Sequence, residues 1–233
     1  IQETSLEEIL EVAPWLLDAK FSNAIIEIDN SNIVWKSGTW HGGTWKKGIW
    51  SDGVWNDGTW LGGTWESGDW FNGVWKDGVW ECGNWLGGIW EYGIWWRGSW
   101  HNGTWYDGVW CNGHWLNGHW FDGSWDNGIW HDGMWQNGTW ETGSWYAGSW
   151  LNGLWYAGIW KDGEWYCGVW RDGIWEDGIW INGIWVRGTW KKGIWNDGTW
   201  GNGNWDGGTW NKGKIDGKET NDNPSICLGM RKK

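Results

Sequence analysis

A cysteine beside a histidine can act as a nucleophile pair, and a carboxylate behind the histidine can orient it. Glu91, Cys111 and His131 follow one another at intervals of 20 residues and are the chain's best candidates for such chemistry. The other thiols, Cys82, Cys167 and Cys227, show no CxxC or other tight spacing, so neither a zinc site nor a disulfide framework is supported. The four read as separate thiols in a reducing compartment. The remaining histidines are His41, His101, His114 and His119. Two glycine strings, Gly42-Gly43 and Gly201-Asn202-Gly203, lack the form of a phosphate-binding loop. Whether any of these residues meet depends on the elements that carry them.

Composition limits those elements severely. Of 233 residues, 38 are Trp and 43 are Gly. Ordinary domains hold about 7% Gly and little Trp. Too little Leu, Ile, Val and Phe remains for a mixed core, which argues against a conventional enzyme fold. The net charge of −12 argues against non-specific binding to nucleic acid or anionic lipid. It is unevenly spread: −6 over residues 1–35, −9 over 36–210 and +3 over 211–233. No run of 18 apolar residues exists, so no transmembrane helix is expected. No basic region followed by an apolar run marks a signal peptide, and a cytoplasmic or virion-associated setting is expected. The first residue is Ile rather than Met, in keeping with a fragment or a processed product.

From Lys36 to Trp210 the chain divides into 35 consecutive pentads of the form x-x-Gly-x-Trp, without one insertion. Asp or Asn precedes the Gly in 19 of them, and Thr, Ile or Val follows it in 23. Trp-x-[Asp/Asn]-Gly reads as a β-turn, since Asn and Asp tolerate left-handed backbone and Gly suits the next place. Gly-x-Trp reads as a very short extended segment, with Gly and Trp on one side and the β-branched residue on the other. A turn every five residues leaves no room for a helix or an ordinary strand. The chain must wind as a β-solenoid.

Regularly spaced exposed indoles would make an apolar surface far larger than soluble proteins show. Pointing inward, each Trp buries roughly 150–250 Å² and the series forms a continuous core. The Gly two places earlier leaves space for the ring, and a backbone carbonyl is the expected partner of the indole N–H. In these features the chain resembles the pentapeptide-repeat family, over residues 31–210. Trp35 to Trp210 take that family's central apolar place, and Gly38 to Gly208 its small-residue place. The family uses Leu or Phe with Ala, so the match is one of period and role. The resemblance implies a right-handed, four-sided β-helix. The Trp tracts with Asn/Asp-Gly are also similar to those of large virion-associated proteins of tailed phages.

Four sides predict a coil of about 20 residues, about nine coils and a length of roughly 40 Å. Sorting the residue before Trp at this period groups Val54, Val74, Ile94, His114, Met134, Leu154, Ile174 and Ile194 on one side. The opposite side takes Thr44, Thr64, Asn84, Thr104, Ser124, Ser144, Glu164, Ile184 and Asn204. Sorting every third pentad gives no comparable separation. The corner leading to the apolar side adds Leu86, Tyr106, Tyr146, Tyr166 and Val186. Together Val54, Val74, Ile94, Met134, Leu154, Ile174, Ile194 and this corner form the candidate partner surface. Outward β-branched residues also simply favour extended backbone.

The expected organisation is an N-terminal cap over 1–35, a solenoid over 36–213 and a flexible basic tail over 214–233. Ser5-Leu6-Glu7-Glu8 has the form of a capping box opening a short helix to about Val12, which Pro14 ends. Ala24 to Ile28 alternates like a strand before the turn at Asp29-Asn30-Ser31-Asn32. Arg231-Lys232-Lys233 reads as a solvated end.

A 20-residue coil stacks Glu91, Cys111 and His131, but with Cys between the other two and on a convex edge. Glu91 then cannot orient His131, and no pocket surrounds them. His114 and His119 fall on adjacent faces, and His41 and His101 lie three coils apart, so no metal set assembles. No enzyme activity, cofactor, nucleic acid, membrane or small-molecule substrate is expected. The leading expectation is a structural or protein-interaction rod that docks a protein partner or itself through the apolar side, as part of a larger virion or cell-surface protein. An alternative is an acidic DNA mimic, a role known in the pentapeptide-repeat family. Duplex of about 40 Å would carry roughly 24 charges, far more than the repeat region. A second alternative is a carbohydrate-binding or adhesion module using the aromatics off the core register: Phe71, Tyr92, Trp96, Tyr106, Phe121, Tyr146, Tyr156 and Tyr166.

Overall fold

The computed structural model describes residues 5–225 and is an all-β solenoid with one short helix at its N-terminal side. It divides into two compact units, Ile1–His114 and Trp115–Lys233. Each pentad contributes a two-residue strand made of Trp and the residue before it, such as Thr59–Trp60 or Ile174–Trp175. These strands pair in parallel with the strand three pentads further along the chain. In the first unit Ile49 pairs with Thr64, Val54 with Asp69 and Thr59 with Val74. In the second, Ser124 pairs with Thr139, Ile129 with Ser144 and Met134 with Ser149.

Three pentads therefore complete a coil. The solenoid and its helical cap are as expected, but the four-sided, 20-residue coil is corrected to a three-sided, 15-residue one. The 35 pentads make nearly twelve coils rather than nine. The glycine explains the tighter turn. Gly53 sits at φ +133° and Gly103 at φ +132°, backbone that a residue with a Cβ rarely adopts. Each corner of a coil is turned at such a glycine. An alanine would resist that conformation. A Cβ on Gly53 would also lie 2.5 Å from the carbonyl oxygen of Gly38 in the preceding coil. The glycine is thus set by backbone conformation and by close approach between coils, beyond the volume traded with Trp.

Two backbone hydrogen bonds per pentad join successive coils in each unit. The residue after Gly donates to a glycine carbonyl, as Thr59 N–H does to Gly43 O at 2.9 Å. The residue after Trp donates to a tryptophan carbonyl, as Leu61 N–H does to Trp45 O at 2.8 Å. The Gly N–H is taken instead by the side chain before it: Asp107 Oδ1 accepts from Gly108 at 2.6 Å, and Asn182 Oδ1 from Gly183 at 2.8 Å. Asp and Asn recur at that place because they satisfy this amide.

Every described Trp from Trp35 to Trp195 in the pentad series is fully buried. Indoles one coil apart stack nearly parallel, as Trp50 on Trp65 at 4.9 Å and 5° and Trp145 on Trp160 at 4.8 Å and 6°. That separation equals the spacing of hydrogen-bonded strands, so ring stacking and backbone pairing share one repeat. Consecutive indoles meet edge to face, as Trp60 and Trp65 do at 6.0 Å and 73°. The expected carbonyl partner of the indole N–H is found for Trp180 with Asp197 O at 3.1 Å and for Trp185 with Asn202 O at 3.0 Å. The buried N–H groups of Trp50, Trp75, Trp150 and Trp165 have no acceptor. Two of them face glycine: Trp150 Nε1 is 3.3 Å from where a Cβ of Gly168 would stand, and Trp165 Nε1 is 3.1 Å from that of Gly183.

The first unit opens on α1, Leu6–Val12, whose Ser5 and Glu8 form the expected capping box. A 3-10 turn over Pro14–Asp18 follows. Strand β1, Lys20–Asp29, then pairs antiparallel with β2, Asn32–Gly42, and so covers the edge of the first coil. Phe21 stacks on Trp40 at 6.2 Å and meets Trp35 edge-on at 5.5 Å, and Trp15 meets Trp45 edge-on at 5.0 Å. All three columns of indoles are capped by an aromatic ring at this end.

A flexible tail is expected over 214–233, and its first residues are instead part of an ordered element of the second unit. Gly213–Ile215 and Lys218–Thr220 form an antiparallel hairpin. Buried Ile215 takes the place of Trp and pairs with Trp200. Thr220 O accepts the indole N–H of Trp210 at 3.2 Å. Asp216 at φ +52° turns the hairpin. Cys227 and Arg231-Lys232-Lys233 lie outside the described residues.

Candidate functional site

The interior is closed by indoles, so chemistry is left to the outward side chains. These fall in columns with a 15-residue period. In the first unit one face carries Ile49, Thr64, Val79, Ile94 and Val109 in succession. A second carries Thr44, Thr59, Val74, Ile89 and Thr104. The third carries Thr39, Val54, Asp69, Asn84 and Ser99. The first of these is apolar and the third polar.

The candidate partner surface does not assemble. Val54, Val74 and Ile94 stand on three different faces of the first unit. In the second unit Met134 and Ile194 belong to one face, Leu154 to another and Ile174 to the third. Of the corner residues, Tyr146, Tyr166 and Val186 follow Trp145, Trp165 and Trp185, which belong to different indole columns. Leu86 and Tyr106 likewise follow Trp85 and Trp105 in different columns of the first unit. A 20-residue step advances four pentads, one more than a coil, and so moves to the next face each time.

The Glu91, Cys111 and His131 series dissolves for the same reason. Glu91 lies beside Lys76, one coil before it, with Nζ to Oε1 at 2.6 Å. Cys111 is half-buried on a different corner, where its N–H donates to Trp95 O at 2.7 Å. His131 stacks on Tyr146 at 5.4 Å. His41 is held by Ser22 at 2.8 Å and Asn56 at 3.1 Å, tying the cap strand to the second coil. Among the described residues no group of three His, Cys, Asp or Glu side chains could hold a metal ion. Among the described residues, one shallow hollow lies by Val169, Arg171, Val186 and Arg187, and another by Asp52, Val54, Ser67, Asp69 and Asn84.

What the 15-residue columns do assemble is charge of alternating sign. Glu176 sits between Lys161 at 2.9 Å and Lys191 at 3.1 Å. Those two hydrogen bonds hold its carboxyl below the usual range, with the Lys161 bond the larger cause. Asp177 with Lys192 at 2.7 Å, Asp197 with Lys212 at 3.0 Å, and Asp172 with Arg187 at 2.9 Å repeat the arrangement. The lysine bonds lower the Asp177 and Asp197 carboxyls and raise the Lys192 and Lys212 ammonium groups. Asp126 is pushed the other way by burial. Tyr166 donates its phenolic proton to Glu164 Oε2 at 2.7 Å, and this bond raises the phenol above its ordinary value. Sequence reasoning missed this pair, although the order Glu-Trp-Tyr places both outward beside one buried Trp. Arg171 lies over the ring of Tyr156 at 4.9 Å. Exposed Tyr92 and Trp96 add two rings in the first unit.

No helix of the described residues is long and apolar enough to cross a membrane. No protein-family model matches the chain, and no curated protein matches it. Among solved structures it is similar to a Desulfovibrio desulfuricans G20 protein provisionally named an acetyltransferase. That match has 3% identity and a TM-score of 0.12, covering 82% of this chain and 64% of the other. A likeness at that score carries no argument about fold or chemistry.

Proposed function

We propose that the chain is a non-enzymatic structural and protein-interaction module, built to present outward side chains at fixed intervals, within a larger virion or cell-surface protein. The observation that carries this reading is the 15-residue stacking within each unit. In each unit the pentads add their rings to the indole core and leave the remaining side chains on the outside. The partner surface is the mostly apolar face of the first unit that carries Ile49, Val79, Ile94 and Val109, with Thr64 between the first two. A column of mostly aliphatic side chains on one face suits a two-fold contact with a second copy, since the same patch serves both partners. Light scattering after size exclusion tests it. A dimer that Val79→Glu and Ile94→Glu dissociate, with unchanged Trp fluorescence, is expected; a strict monomer overturns self-association.

The DNA-mimic alternative draws less support from the charges. Glu91, Asp172, Glu176, Asp177 and Asp197 each stand beside a cation, whereas a duplex presents uncompensated phosphate. The carbohydrate-binding alternative rests on Tyr92 and Trp96, 55% and 49% exposed, because flat exposed rings can stack on sugars. A glycan array in which the parent protein is silent discards that reading.

A further inference from the structure

We propose that the indole stack of the second unit conducts a one-electron oxidising equivalent to Tyr166, whose phenolic proton then passes to Glu164. This is an activity of the core, separate from any partner contact. Trp210, Trp195, Trp180 and Trp165 lie in one column with centroids 4.9, 4.8 and 4.9 Å apart. The rings are tilted by only 8°, 7° and 5°. Indole is among the most easily oxidised side chains, and near-parallel rings at this separation exchange an electron readily. An external one-electron oxidant takes an electron from Trp210 and is itself reduced. Each following step then moves one electron between neighbouring rings, with no bond made or broken.

A tryptophan radical cation is normally short-lived because its N–H proton leaves to a base. Here Trp165 and Trp195 are fully buried, and their N–H groups have no acceptor. Trp180 and Trp210 donate only to backbone carbonyls, Asp197 O and Thr220 O, which are too weakly basic to take the proton. The column therefore keeps its protons and the charge stays mobile. The column continues beyond Trp165 to Trp150 at 4.8 Å, and the charge leaves it where a proton can go. Tyr166 follows Trp165 in the chain and donates to the carboxylate of Glu164 at 2.7 Å. The electron passes from Tyr166 to the Trp165 radical cation and the proton from Tyr166 to Glu164. The products are neutral indole, tyrosyl radical and a protonated carboxyl.

The test tethers a ruthenium polypyridyl photo-oxidant to Asn211→Cys in the full chain, with Cys82, Cys111, Cys167 and Cys227 changed to Ser. Asn211 is exposed and adjoins Trp210, three coils from Tyr166. Flash oxidation should give an indole radical-cation signal that decays as a tyrosyl signal rises. Tyr166→Phe should lose the tyrosyl signal and prolong the indole cation. Glu164→Gln should do the same by removing the base. Trp180→Phe, Trp185→Phe and Trp190→Phe together replace one whole coil of rings and should abolish the fast rise. A tyrosyl signal that persists in Tyr166→Phe, or that rises equally fast through the three phenylalanines, overturns the proposal. If the triple variant does not fold, the surface substitutions Tyr166→Phe and Glu164→Gln decide alone.

Discussion

The most consequential residue is the glycine, because its demands are stereochemical rather than volumetric. At Gly103 the backbone has φ +132°, and a Cβ would come 2.6 Å from Gly88 O. Gly103→Ala therefore costs both an unfavourable conformation and a displaced coil, about 2 kcal/mol or more, read as a lower urea midpoint. The residue before glycine acts through one hydrogen bond. Asp107→Ala leaves the Gly108 amide without its 2.6 Å acceptor and should cost about 1 kcal/mol in the same measurement. The aspartate was legible in the sequence as a turn residue. Its particular job, capping the next amide while neighbouring amides bond between coils, shows only in the folded chain.

At the scale of the element, the pentad was fully legible and the coil was not. Trp and Gly recur every five residues, so the core pattern is the same whether three or four pentads close a turn. Only outward residues distinguish the two, and an aliphatic column is a weak signal where Thr, Ile and Val all suit extended backbone. Opposite charges carry the answer more sharply: Lys76 with Glu91, Asp172 with Arg187, Asp177 with Lys192 and Asp197 with Lys212 are each one coil apart. A double-mutant cycle on Asp172 and Arg187 should give a coupling of about 0.2–1 kcal/mol, and one on Asp172 and Lys192 none. Because the Glu176, Asp177 and Asp197 carboxyls are lowered in the fold, the stability they contribute is present above the ordinary carboxylate range. It is lost as pH falls through their lowered values. Melting temperature should drop in acid, and added salt should shrink the drop because these pairs are partly exposed.

For the whole molecule, the ends decide whether a stacked core remains a finite one. The N-terminal device was readable from a capping box, an alternating strand and a proline. The C-terminal hairpin was not, since Gly213 to Thr220 lacks both Trp and a long apolar run. What identifies it is a single aliphatic residue in register, Ile215 after Trp200. Ile215→Asp should uncover that column and expose unpaired strand edge. The measurable outcome is concentration-dependent light scattering with retained blue-shifted Trp emission, whereas an unchanged monodisperse profile would show that the hairpin is dispensable.

The three-pentad coil also has a meaning for the gene. A deletion or duplication of three pentads' worth of codons would remove or add one complete turn and leave every later side chain on its own face. A change of a single pentad would keep each indole inside and each glycine at its corner. It would also carry all downstream outward residues one face around. The same coding tract can thus alter the order of its surfaces through slips in copying, without a single amino-acid substitution and without disturbing what lies within.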